Sequence, residues 1–200
     1  MYTLYEMALS GNCYKCRLAM HQLGIPFERV QVNLQGGEQY GPAFRKMNLN
    51  SKVPVLKISD TEALPESNAI LFYLAERSGL MPQAPLARAQ VMQWLFFEQY
   101  SHEPYIATVR FWQKFTANPA AYAADIARCR PKGEKALQVM DDHLAHNGFF
   151  VDNQYSIADI ALYAYTHVAE DGGYQLNRYP AVQAWLRRVE QTPRFIPITA

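Results

Sequence analysis

Residues 48–75 read N-L-N-S-K-V-P-V-L-K-I-S-D-T-E-A-L-P-E-S-N-A-I-L-F-Y-L-A, and the order of elements inside this stretch decides the fold. Val53 to Ile58 is a short β-branched run suited to a strand. The Asp60-Thr61 turn leads into a second strand ending at Leu64-Pro65. After Pro65 the apolar residues Ala69, Ile70, Phe72, Tyr73 and Leu74 recur at helical spacing, so a helix starts near Ser67. Pro54 stands where the first of these strands begins, a position from which it cannot donate a ladder hydrogen bond. Proline there marks a turn-like or cis bond that exposes neighbouring backbone groups. Glu66 and Ser67 fall in the first turn of the helix, beside N–H groups that lack intrahelical acceptors.

Those residues carry a resemblance. Val53-Pro54 followed by Glu66-Ser67 resembles the glutathione-binding half of the glutathione transferases, cytosolic enzymes with many bacterial members. The resemblance implies that backbone groups at Val53 and Pro54, with the proline cis, bond the cysteinyl part of glutathione. It implies that Glu66 and Ser67 hold the γ-glutamyl end. Elementary chemistry suits that ligand: a hydroxyl at a helix N-terminus accepts a carboxylate, and a glutamate pairs with an α-ammonium. Lys52 is then placed to meet the glycyl carboxylate, with Gln39 as a helper across the loop.

Working outward, Tyr2 to Glu6 is a first strand, and Ala8 to Asn12 a loop. Cys13 opens a helix that Gly24-Ile25-Pro26 stops. Phe27 to Leu34 is a second strand, Gln35 to Tyr40 a Gly-rich connection, and Pro42 to Met47 a short helix. The crossover helix implies that the first two strands lie parallel. This order is that of an α/β thioredoxin-like domain with a mixed sheet between helices. Beyond the Gly- and Pro-bearing segment at Ser78–Leu86 no strand pattern of any length appears. Helices are expected over Ala87–Thr116 with a bend at Pro104, Ala120–His146, Ser156–Glu170 and Pro180–Gln191. The expected organisation is a thioredoxin-like glutathione-binding domain over 1–78, a linker over 79–86 and an all-α helical bundle over 87–200. The resemblance spans essentially the whole chain.

The chemistry is expected in the loop Ser10-Gly11-Asn12-Cys13-Tyr14-Lys15-Cys16, where a bound anion meets the positive end of the first helix. In transferases of the serine type a hydroxyl here bonds the glutathione sulfur and favours its thiolate, the competent nucleophile. Ser10 holds that position, and the resemblance assigns Asn12 to glutathione binding as well. Cys13 is the competing candidate. One bacterial class places a cysteine there and forms a mixed disulfide with glutathione. C-Y-K-C is also similar to the C-x-x-C of glutaredoxins, and a helix N-terminus lowers a cysteine's pKa. Cys16 reads either as a resolving thiol or as a small buried hydrophobe. His143-x-x-His146 sits at a helix C-terminus, where histidines favour the dipole, and no second ligand pair at metal spacing accompanies it. Ser156-Ile157-Ala158-Asp159 reads as a structural capping box. Tyr105 and Trp112, on one helical face, are candidates to line a hydrophobic substrate cleft facing Ser10.

A chain of 200 residues with 50% apolar composition can bury a real core, and a net charge of +1 gives no reason to expect nucleic acid or an anionic membrane. The absence of any run of about 18 apolar residues argues against a membrane span. Three cysteines and a strand pattern directly after Met1 fit a reducing, cytoplasmic setting. The residues and the resemblance together point to a glutathione transferase that adds the glutathione thiolate to a hydrophobic electrophile and assembles as a homodimer. A glutathione-dependent disulfide reductase or peroxidase using Cys13, and a non-catalytic binding protein of the same fold, are the alternatives.

Overall fold

The computed structural model describes residues 1–200, and the chain divides into two compact units. One is Met1–Met81 together with Pro193–Ala200, and the other is Pro82–Thr192. In the first unit β1 (Tyr2–Glu6), β2 (Phe27–Gln31), β3 (Val55–Lys57) and β4 (Ala63–Pro65) form one sheet in the order β2-β1-β3-β4. β1 and β2 are parallel, as the crossover helix requires, while β3 is antiparallel to both β1 and β4. The crossover helix α1 (Gly11–Leu23), the short α2 (Pro42–Met47) and α3 (Ser67–Ala75) complete the unit. One core joins Leu4, Cys16, Met20, Leu56, Ile70 and Leu74, and a second, smaller cluster joins Val32, Phe44 and Val55. Alternation along β3 explains the division, because Val55 and Leu56 point to opposite faces of the sheet.

The elements depart from expectation in ways that have physical causes. α1 begins at Gly11 rather than Cys13, because the Ser10 side chain caps it by accepting from Cys13 N at 3.3 Å. β3 starts at Val55 rather than Val53, since Val53-Pro54 is cis and Pro54 cannot donate to a ladder. β2 ends at Gln31 rather than Leu34, where the chain turns: Asn33 N donates to the Glu38 carboxylate at 2.7 Å, and Asn33 Oδ1 accepts from Gly36 N at 2.9 Å. The last eight residues pack with the first unit, where the sequence reading carried the helical domain to residue 200.

The second unit is helical throughout: α4 (Pro85–Phe97), α5 (Glu103–Lys114), α6 (Ala123–Leu144), α7 (Ile157–Thr166) and α8 (Pro180–Glu190). The single long helix expected over Ala87–Thr116 is divided by a π-helical turn, Glu98–His102, closed by a bond from Glu103 N to Glu98 O. Pro104 has no N–H for the carbonyl four residues back, so the ladder widens just before it. α6 and α7 are shorter than expected, each flanked by a 3₁₀ turn, at Pro119–Tyr122 and Ala169–Gly172. The core holds an aromatic stack in which Trp94, His143, Phe150, Trp185 and Tyr163 follow one another at ring separations of 4.8–6.1 Å. No helix is long and apolar enough to cross a membrane.

Candidate active site

Strand register gathers the site. In β3, Val55 pairs with Tyr5 of β1 and Pro65 of β4. Carried one step beyond those ladders, the same register sets Pro54 opposite both Glu6 and Glu66. The loop after β1, the cis Val53-Pro54 bond and the Glu66-Ser67 start of α3 therefore lie at one end of the sheet.

Polar contacts draw two helix N-termini together there. Ser67 Oγ donates to Asn12 Oδ1 at 3.1 Å and accepts from Lys15 Nζ at 3.4 Å. Lys15 Nζ also reaches Asn68 Oδ1 at 3.3 Å. The N-termini of α1 and α3 so share one polar cluster, with a buried lysine beneath it. Both helix ends and the ammonium favour negative charge. Glu66 is exposed and lies at φ 70°, ψ 112°, outside the basins a side-chain-bearing residue prefers. Such backbone costs about 1–3 kcal/mol and is found at ligand clamps. Here it turns the chain so that α3 begins with Ser67 inward and Glu66 outward.

Ser10 uses a hydroxyl lone pair to cap α1, and its rotatable O–H can bond either the Cys13 sulfur or a ligand sulfur. Cys13 differs from expectation. It is fully buried, and burial pushes its thiol up to about 11, only partly offset by hydrogen bonds from Ser10 and from Met7 N. The lowered pKa that a helix N-terminus confers is overridden by desolvation. Cys16 is also fully buried, sits in the core cluster with Leu4 and Leu56, and is pushed well above the usual thiol range by the same cause. All three cysteines are free.

Lys52 is exposed, and its carbonyl is held by Asn48 Nδ2 at 2.8 Å, so the buried Asn48 shapes the Lys52–Pro54 approach. Gln39 is buried, and its amide nitrogen donates to Leu34 O at 3.3 Å within its own loop. Tyr105 and Trp112 are half-buried on α5 of the helical unit. Lys132 Nζ lies 5.1 Å over the Tyr105 ring, and Trp112 stacks on Tyr122 at 5.3 Å. His143 packs between Trp94 and Phe150 and bonds Phe150 O at 3.1 Å. No group of three or more His, Cys, Asp or Glu side chains is arranged to hold a metal ion.

Reading the sequence alone missed Lys15, Arg17 and Asn48. Lysine and arginine on a helix ordinarily signal its solvated face, yet Arg17 is buried against Glu6 of β1. The one available signal was Glu6 itself, a carboxylate inside an otherwise apolar strand.

A sheet of this topology, with a cis-proline and a helix N-terminus converging on a capped loop, defines a thioredoxin-like domain. The chain belongs to the glutathione S-transferase family: residues 9–77 match the family's N-terminal domain and residues 94–193 its C-terminal domain. It is 48% identical to a glutathione S-transferase of known structure from Pseudomonas fluorescens Pf-5, with a TM-score of 0.98 over 100% of this chain and 99% of that one. It is 28% identical over 200 residues to the disulfide-bond oxidoreductase YfcG of Escherichia coli (strain K12), covering 96% of this chain and 92% of the relative. A second Pseudomonas fluorescens Pf-5 family member, whose structure holds two bound glutathione molecules, is 28% identical with a TM-score of 0.84 over 96% of this chain and 89% of that one.

Proposed function

We propose that the protein is a glutathione transferase in which Ser10 hydrogen-bonds the glutathione sulfur, keeps it as thiolate and presents it to a hydrophobic electrophile. The observation that carries this reading is the Ser10 cap. Its rotatable hydroxyl, which also reaches the Cys13 sulfur, can turn to a ligand at the N-terminus of α1, and Asn12 links the same turn to Ser67. Free thiols near pKa 8.5 are mostly protonated at neutral pH, and a donor to the charged form lowers that value. Glu66 and Ser67 bind the γ-glutamyl end, Val53 and Pro54 the cysteinyl backbone, and Lys52 the glycyl carboxylate. Tyr105 and Trp112 offer aromatic surface to the electrophile. Catalysis is then proximity plus thiolate stabilisation. A cytoplasmic homodimer belongs to the same proposal: the three thiols are free, and Phe96, Tyr100 and Phe111 are exposed apolar surface that a two-fold interface would cover.

A second reading is favoured by the YfcG likeness and by the relative with two bound glutathiones. The same thiolate attacks a disulfide sulfur, forming a glutathionyl mixed disulfide and expelling one thiolate. A second glutathione thiolate then releases the other half as a thiol after protonation, leaving glutathione disulfide. The burial of Cys13 supports a route in which both attacking sulfurs come from glutathione. The expected result is that Ser10→Ala slows the native reaction about 10- to 1000-fold with little change in ground-state glutathione binding. Assaying Ser10→Ala and the parent with aryl halides and with mixed disulfides separates carbon from sulfur as the electrophile. A Ser10→Ala enzyme of full activity on both would overturn the proposal.

A further inference from the structure

Residues 194–200 run along α1 and β2 with every second carbonyl gripped by a side chain. Arg194 O receives His21 Nδ1 at 2.7 Å, Ile196 O receives Tyr14 OH at 2.6 Å, Ile198 O receives Arg17 at 2.7 Å, and Ala200 O receives Arg29 at 2.9 Å. Tyr14, Arg17 and His21 recur at three and four residues, so one stripe of α1 does the gripping. Gly24 at the C-cap of α1 has φ 67°, and the Arg194 guanidinium occupies the space a Cβ there would need. The fit is therefore built at both ends of the helix.

Arg17 connects this segment to the reaction. Its guanidinium pairs with Glu6, whose carboxylate also takes Arg29 and Gln31. One nitrogen, Nη2, donates to Ile198 O at 2.7 Å and to Ala8 O at 2.9 Å. Ala8 stands two residues before Ser10, in the turn that Ser10 N closes on Met7 O at 3.0 Å. We propose that residues 194–200 are a positioning strap for the thiol-activating loop, and that Arg17 is the positioning residue that carries its hold to Ser10. This rests on the reading of Ser10 as the donor to the glutathione sulfur. An arginine fork suits the task, since it meets several acceptors in one fixed plane; a lysine supplies the charge without the geometry.

The test is titration of the enzyme-bound glutathione thiol, followed by its thiolate absorbance, together with the pH profile of kcat/KM. It is run on the parent, Arg17→Lys, Ser10→Ala and a chain truncated after Phe195. Arg17→Lys and the truncation are each expected to raise the bound thiol's pKa by about one unit, which lowers the thiolate fraction about tenfold below that pKa. The KM for glutathione should stay within about threefold, because the ligand's own contacts are intact. If Arg17→Lys does not fold, the truncated chain decides, since it keeps the Arg17–Glu6 pair and removes residues 196–200, the part of the strap held by Tyr14, Arg17 and Arg29. A folded variant whose bound thiol titrates like the parent, while Ser10→Ala shifts it, overturns this inference alone. An unshifted Ser10→Ala overturns the reading of Ser10, and the inference with it.

Discussion

Two helices in this protein start on a serine cap, and the two caps are built to different ends. At α7, Ser156 Oγ accepts from Ala158 N and donates to Asp159, while Asp159 accepts in return from Ser156 N at 2.9 Å. Phe150 N and Trp185 Nε1 complete the carboxylate's partners, and the whole assembly is buried. At α1, Ser10 accepts from Cys13 N, and the first turn contains no acidic residue to return the bond. A reciprocal box leaves nothing for a ligand. An open cap keeps a donor and a positive helix end for one. The same residue type in the same local position is thus structural in one place and chemical in the other, and the difference lies three residues downstream: Asp159 against Cys13.

Breaking the closed cap should have the largest effect. Asp159→Ala strands four buried donors and is expected to cost about 3–5 kcal/mol in urea unfolding, with glutathione affinity unchanged in whatever folds. The closed cap should also respond to pH with an unusual sign. Burial pushes the Asp159 carboxyl up to about 6, with the Trp185, Ser156 and Phe150 hydrogen bonds pulling the other way. An unfolded aspartate titrates near 3.9, so between about pH 4 and 6 the native state binds more protons than the unfolded state. This group's contribution is fully present below about pH 4 and is lost as pH rises through 6, a change of about 2–3 kcal/mol. Comparing unfolding of the parent and Asp159→Asn at pH 4.5 and 7 isolates it; equal pH dependence in the two proteins would contradict the assignment.

The open cap's partner comes next. Ser67→Ala should cost about 1–3 kcal/mol of glutathione binding by calorimetry, whereas Ser156→Ala should cost about 1 kcal/mol of stability and no affinity. The smallest effect sharpens the contrast. Cys13→Ala, at the position corresponding to Asp159, should leave turnover within about threefold at neutral pH, because a thiol near 11 carries almost no thiolate there. A loss of activity as large as that of Ser10→Ala would restore Cys13 to the chemistry.

The sequence made the first unit legible because its signals are local. A β-branched run, a turn, Val-Pro and an amphipathic helix each carry their own period, and the topology follows from the crossover rule. Ser156–Asp159 was readable for the same reason. What stayed hidden depends on contacts far apart in the chain. Nothing near Cys13 announces its burial, and a helix N-terminus by itself argues for the opposite pKa. The grip of Tyr14 on Ile196 spans most of the chain, so the last residues were assigned by continuity to the helical domain. The π turn at Glu98–His102 was half visible, since Pro104 marks a bend without stating what kind.

A unit assembled from two segments that flank another unit cannot be completed when its first segment has been made. β1 and α1 are made before the helical unit, and the carbonyls that satisfy Tyr14 and Arg17 after it. Every residue of the helical unit is synthesised in between. Domains generally fold as units, the N-terminal one first during synthesis. In this protein residues 193–200 can be laid along α1 only after residues 82–192 have been made.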